Sequence, residues 1–191
     1  MSPGPRDRWG VLLDRDGTLV PDARYANRPE QLTLYRAAPP ALRRLADAGA
    51  VLGVVSNQSA VARGLLTPAG LRVMDRRLRA LVQESGARLS GSYYCPHHPD
   101  FTGPCRCRKP EPGLVRDALR ELQLSPRRTY LVGDTASDME AGRRAGVKTV
   151  LVLTGHGRAA RARVERARLA DAVCGNLQSA ARWILEDRRK P

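Results

Sequence analysis

Ten residues near the start of the chain constrain its fold more than any others: Val11-Leu12-Leu13-Asp14-Arg15-Asp16-Gly17-Thr18-Leu19-Val20. The apolar run Val11 to Leu13 does not alternate with polar residues, which is the pattern of a strand buried on both faces of a parallel sheet. It stops abruptly at two carboxylates. Functional groups in open α/β sheets gather just beyond the carboxyl ends of the strands. Alternate residues of an extended chain point the same way, so Asp14 and Asp16 can face one site. Gly17 lets the backbone turn directly afterwards. These residues alone leave two readings open. One carboxylate can attack an electrophile while the other trades a proton with the leaving group, with a cation such as Mg²⁺ offsetting the crowded charge. Alternatively the stretch is a solvated Asp-x-Asp-Gly turn or a calcium loop.

The rest of the chain alternates strand and helix signals. Helices are predicted over 39–48, from Thr67-Pro68 to about Ser85, over 112–122 and through Arg144, with two more between Ala159 and Asp187. Buried strands are predicted at 50–55, 91–94, 129–132 and 147–153, with an edge strand at 171–173. This order predicts an α/β fold: a Rossmann-like three-layer sandwich, its parallel sheet covered by helices on both faces. At 191 residues, without repeats or linkers, the expectation is one domain over 1–191.

Composition excludes little but orients the search. No stretch approaches the roughly 20 apolar residues that span a bilayer, and Met1 to Arg8 is polar, so the expected location is the cytoplasm without a membrane partner. The net charge of +14 favours anionic partners in general. Aromatic residues make up only 4%, leaving few stacking platforms, so no specific nucleic acid is expected. Monomer is the default.

Three strand ends carry polar groups: Asp14/Asp16, Ser56/Asn57 and Asp134/Asp138. Lys109 joins them in Cys107-Arg108-Lys109-Pro110. Phosphoryl transfer needs these types together, as nucleophile, proton carrier, cation ligands and oxygen donors. Separately, Cys95-x-His97 and Cys105-x-Cys107 supply four soft ligands suited to tetrahedral Zn²⁺, with no open position for catalysis. Such a site would pin the loop that carries Arg108 and Lys109. The competing reading is a set of buried free thiols. His98, His156 and Cys174 carry no motif and default to structural roles.

Asp-x-Asp-Gly-Thr, Ser-Asn-Gln, Lys-Pro and Gly-Asp-x-x-x-Asp, in that order, resemble the four motifs of the haloacid dehalogenase superfamily of phosphatases. Tyr93-Tyr94-Cys95-Pro96-His97-His98-Pro99, followed by Cys105-Arg106-Cys107-Arg108-Lys109-Pro110, is similar to the D,D-heptose 1,7-bisphosphate phosphatases, relatives of the histidinol phosphatases. The resemblance implies a domain without a large cap, gated by the 21–38 loop and the zinc loop. It implies Asp14 as nucleophile and Asp16 as the group that protonates the leaving oxygen and then activates water. Mg²⁺ would be held by Asp14, the Asp16 backbone carbonyl and Asp134, with Asp138 supporting it indirectly or through water. Ser56 and Lys109 would bind phosphoryl oxygens. Substrate contacts would come from Asp22, Ala23, Arg24, Tyr25, Ser56, Asn57, Gln58, Ser59, Arg108 and Lys109. The implied reaction is removal of the 7-phosphate from a heptose 1,7-bisphosphate through an aspartyl-phosphate. Thr135 departs from the pattern, since close relatives often have Lys there. The competing functions are a histidinol-phosphate phosphatase, a nucleic-acid 3′-phosphatase, and, outside enzymes, a zinc-stabilised nucleic-acid-binding module. The last leaves Asp14, Asp16, Asp134 and Asp138 unexplained.

Overall fold

A computed structural model describes residues 8–22 and 28–190. Six strands form one parallel sheet: β1 (Gly10–Leu13), β2 (Val51–Asn57), β3 (Leu89–Cys95), β4 (Thr129–Gly133), β5 (Lys148–Val152) and β6 (Ala172–Cys174). Their order is β3-β2-β1-β4-β5-β6, so the winding direction reverses between β1 and β4. Leu13 lies opposite Val54 on one side and Val132 on the other. The motif-bearing ends of β1, β2 and β4 therefore meet at the switch point, where α/β sheets open a crevice.

Burial explains the unbroken apolar run. Val11 and Leu13 face a core shared with α1 (Ala38–Asp47), α2 (Pro68–Glu84) and α7 (Leu177–Asp187). Leu12 points the other way, into a core with α4 (Gly113–Glu121) and α5 (Ala136–Ala145). Helix α6 (Gly157–Arg166) covers the far end, burying Val164 against Met139 and Leu151. Both faces of β1 are thus dry, and alternation would have put polar groups into one core or the other.

Element positions match the sequence reading closely, with instructive extensions. Strand β2 runs on through Asn57 and β3 through Cys95, because the two stay in register to their ends, with Asn57 opposite Cys95. A single helical turn, α3 (Pro99–Thr102), sits inside the Cys/His segment. His98 caps it by accepting the Asp100 N–H, and Gly103, at φ 74°, ends it. No helix among the described residues is long and apolar enough to cross a membrane.

Candidate active site

The Asp14 N–H donates to the Val132 carbonyl at 2.9 Å, carrying the β1–β4 ladder one residue beyond the strand. That fixes Asp14, a residue 7% exposed, at the crevice floor. The chain then turns at Gly17, whose φ is +79°. A Cβ there would lie 2.1 Å from Asp134 Oδ2. Gly155, with φ +51°, closes on the same atom from the other side, its Cβ position 2.2 Å away. Two left-handed glycines thus make room for one carboxylate. Asp134 Oδ2 accepts the His156 N–H at 2.7 Å, whereas Oδ1 is buried and accepts nothing among the described residues.

Lys109 reaches the same floor from the loop before α4. Its backbone is clamped reciprocally: its N–H donates to Asn57 Oδ1, and Asn57 Nδ2 donates to its carbonyl, both at 3.0 Å. Its ammonium lies 2.7 Å from Asp14 Oδ1, 2.5 Å from Asp138 Oδ1 and 2.8 Å from the Val55 carbonyl. Asp138 is engaged at its other oxygen too, which accepts the Thr135 N–H at 3.0 Å and its hydroxyl at 2.6 Å. Thr135 is thus the N-cap of α5 and orients Asp138.

Crowding shapes the charges. Burial pushes Asp14 up to about 6, with Lys109 opposing and Asp138 and Asp16 adding to the rise. Burial, then the Asp14 and Asp138 charges, push Asp134 up to about 8. For Lys109, burial would lower the ammonium, but Asp138 and Asp14 outweigh it and hold it above its ordinary value. The ligand atoms of Asp14, Asp134 and Asp138 lie within 4.8 Å of one another. Three carboxylates, two of them on the Lys109 ammonium and the third, Asp134, with an unmatched oxygen, form an electron-rich nest for a hard divalent ion.

Asp16 stands at the rim, its carboxylate turned sideways. Arg15 Nε donates to both of its oxygens at 3.1 Å, and Nη2 lies 2.9 Å from Oδ2. Gln58 Nε2 donates to Oδ2 at 2.8 Å and to Ser56 Oγ at 3.1 Å.

A cleft of about 350 Å³ opens over these groups. Asp14, Asp16, Ser56, Lys109, Asp134 and Asp138 line it, as do Asp22, Asn57, Ser59 and Arg108 from the expected substrate contacts. Gln58 does not: it is 4% exposed and its amide is committed to Asp16 and Ser56. Ala23, Arg24 and Tyr25 lie outside the described residues. The cleft also includes Thr135, which the sequence marks as a departure from the family pattern, Ser137, which sequence reasoning passed over, and His156. His156, expected to be structural, holds Asp22 Oδ2 at 2.9 Å across the mouth. The available signal was its place just past the β5 end, on the same rim.

Beside the cleft, Cys95, His97, Cys105 and Cys107 converge, with their ligand atoms within 4.8 Å. The Sγ atoms of Cys95, Cys105 and Cys107 are 3.1–3.6 Å apart, and His97 Nδ1 lies 3.3 Å from Cys107 and 3.7 Å from Cys95. Disulfides are excluded at those distances. A tetrahedron of 2.3 Å Zn–S bonds has edges of about 3.8 Å, so the cluster fits that ion with small adjustment. Arg108 Nη1 donates to the His97 carbonyl at 3.0 Å, tying the next residues to the cluster. The Gln58 N–H donates to the Cys95 carbonyl at 2.7 Å.

Comparison with known proteins agrees with this geometry. Residues 106–180 match the HAD-hydrolase-like family model. The chain is 39% identical over 151 residues to a D-glycero-beta-D-manno-heptose-1,7-bisphosphate 7-phosphatase of Haemophilus ducreyi, covering 76% of this chain and 83% of that one. It is 35% identical over 181 residues to the Salmonella typhi protein of the same name, covering 92% and 88%. Among solved structures, D,D-heptose 1,7-bisphosphate phosphatase from B. bronchiseptica, complexed with magnesium and phosphate, superposes with a TM-score of 0.83 at 30% identity, covering 93% of this chain and 99% of that one. The crevice at the switch point, the ordered motifs and these matches lead to one assignment: the chain belongs to the D-glycero-D-manno-heptose-1,7-bisphosphate 7-phosphatase family of haloacid dehalogenase-like hydrolases.

Proposed function

We propose that the protein is a Mg²⁺-dependent phosphatase that removes the 7-phosphate of D-glycero-D-manno-heptose 1,7-bisphosphate. The observation that carries the reading is Asp14 at the cleft floor, with Lys109 on one oxygen and the unmatched Asp134 oxygen nearby. Lys109 occupies Oδ1, which leaves Asp14 Oδ2 to attack phosphorus. A value of about 6 keeps this carboxylate mostly ionised at neutral pH. The P–O bond to the sugar breaks, and Asp16 gives its proton to the departing oxygen. Asp16, now a carboxylate, takes a proton from water, which attacks the acyl phosphate and regenerates Asp14. Ser56 Oγ–H donates to a phosphoryl oxygen, and the Lys109 ammonium does so by exchanging one of its three partners, Asp14, Asp138 and the Val55 carbonyl.

Mg²⁺ held by Asp14, Asp134 and the Asp16 carbonyl would supply positive charge to the transferring phosphoryl group. Both oxygens of Asp138 are engaged by Lys109 and Thr135, which supports an indirect role for it. Zn²⁺ on Cys95, His97, Cys105 and Cys107 would hold Arg108 and Lys109 in place. Arg108, anchored at the cleft wall, suits the substrate's second phosphate. The proposal extends to one domain over 1–191, supported by the single continuous sheet. It further takes the protein as a cytoplasmic monomer acting on a small phosphorylated sugar, without a specific nucleic-acid partner. The acidic floor supports that preference over a polyanion.

The test is phosphate release from heptose 1,7-bisphosphate, histidinol phosphate and a 3′-phosphorylated oligonucleotide, with and without Mg²⁺. Selective, Mg²⁺-dependent turnover of the heptose is expected. Asp14→Asn should abolish turnover while keeping the fold; residual activity near wild type would overturn the nucleophile assignment.

A further inference from the structure

Gln58 and Arg15 stand out because the reaction as written does not use them, yet both are buried at its edge, 4% and 3% exposed. Their polar atoms converge on the carboxylate of Asp16. Oδ2 lies within reach of three donors: Arg15 Nε at 3.1 Å, Arg15 Nη2 at 2.9 Å and Gln58 Nε2 at 2.8 Å. Among the described residues Oδ1 meets one, Arg15 Nε at 3.1 Å. The two oxygens are therefore unequal. Saturated with donors, Oδ2 has little lone-pair capacity left for a proton. Oδ1 retains that capacity.

We infer that Gln58 and Arg15 are positioning residues that lock the Asp16 rotamer and reserve Oδ1 as the oxygen that carries the proton. The inference rests on the reading of Asp16 as proton carrier. Gln58 is well built for the task. Its backbone N–H is fixed to the Cys95 carbonyl at 2.7 Å, so its side chain extends from a held point. The same Nε2 also donates to Ser56 Oγ at 3.1 Å. One amide thus sets the spacing between the proton carrier and the hydroxyl assigned to the phosphoryl group. Arg15 supplies the flat fork that stops the carboxylate turning about its own axis. Precise placement matters here, since a misplacement of about 1 Å can cost about a hundredfold in rate.

A proton is worth most to a poor leaving group. A sugar alkoxide needs it, whereas p-nitrophenolate departs without it. The test compares kcat/KM for the alkyl phosphate that the protein hydrolyses best with kcat/KM for p-nitrophenyl phosphate. Gln58→Met, close in shape but without the donor, should lower the alkyl value by about 10- to 100-fold and the aryl value by less than about threefold. Arg15→Lys, which keeps the charge and loses the fork, should show the same split and decides the matter if Gln58→Met does not fold. Equal losses on both substrates, or no loss on either, would overturn the inference. Asp16→Ala in the same assay separates the two levels. A split in Asp16→Ala that is missing from both positioning variants refutes the positioning role alone. Equal losses in Asp16→Ala refute the proton-carrier reading beneath it.

Discussion

Replacing Lys109 by Met keeps the length of the side chain and deletes its charge. In the folded protein this strands two carboxylates, Asp14 and Asp138, whose side chains are 10% and 1% exposed, together with the Val55 carbonyl. Breaking a buried ion pair from one side costs about 3–5 kcal/mol. Acid conditions relieve part of this cost, because a stranded carboxylate that takes up a proton no longer carries buried charge. Burial already holds Asp14 above its ordinary value and Lys109 opposes that rise, so without Lys109 the carboxyl is raised further, and its contribution to stability is present at low pH and lost as pH rises. The deficit of Lys109→Met should therefore grow between pH 4 and pH 7. For a domain of this size about 4 kcal/mol corresponds to a Tm drop of about 8–16 °C. Thermal unfolding of both proteins in EDTA, which keeps any divalent cation from standing in for the ammonium, measures it directly. A Tm gap that is equal at pH 4 and pH 7 would show that the cost is packing, not charge, and would refute the reasoning. So would a variant as stable as wild type at pH 7.

Further outcomes follow from other sites. Gly17→Ala meets both a left-handed φ and a clash with Asp134 Oδ2. It should lose about 1–2 kcal/mol from the backbone alone and most of its phosphatase activity; denaturant unfolding and phosphate release would reveal a silent substitution. Asp75 accepts from Arg79 Nε at 2.7 Å and Tyr94 Oη at 2.8 Å. Burial opposes ionisation there, but bonds from Arg79, Ser92 and Tyr94 prevail and hold the carboxyl below its usual range. Its contribution is present above the unfolded pKa and fades as pH falls, so Asp75→Asn should cost about 1 kcal/mol at pH 7 and less at pH 3; a deficit that grows on acidification contradicts this. Protein purified without chelators should carry one zinc per chain by elemental analysis, and Cys105→Ser should shed it and lose turnover. A zinc-free wild type would end that reading.

Much of this architecture is legible in the sequence because its signals are local. The run Val11 to Leu13 announced a doubly buried strand, and Leu12 and Val11 do face opposite cores. Asp14, Ser56 and Asp134 reach the cleft because each stands at or just past a strand end, and strand ends are visible one at a time. The misses concern partners. Gln58 sits in a motif with cleft residues on both sides, yet β2 ends at Asn57 and the next side chain turns inward to Asp16. Nothing in one dimension distinguishes those directions. His156 lacked any motif, and only the approach of Gly155 to Asp134 brings it to the rim. The engagement of Lys109 by Asp138 is likewise a product of chain crossing, not of spacing.

The sheet order has a consequence for synthesis. Strand β1 is made early but occupies the middle, between β2 and β4. Lys109, which neutralises Asp14, follows 95 residues later, and β4 only after that. While the chain grows from its N-terminus, β1 can pair with β2 yet keeps its other edge open until Thr129 to Gly133 has emerged. An open apolar edge invites pairing with the wrong strand. The stretch that carries Asp14 is thus the one left waiting longest for its final neighbour, and the nascent chain is most vulnerable to misassembly where the finished protein is most exacting.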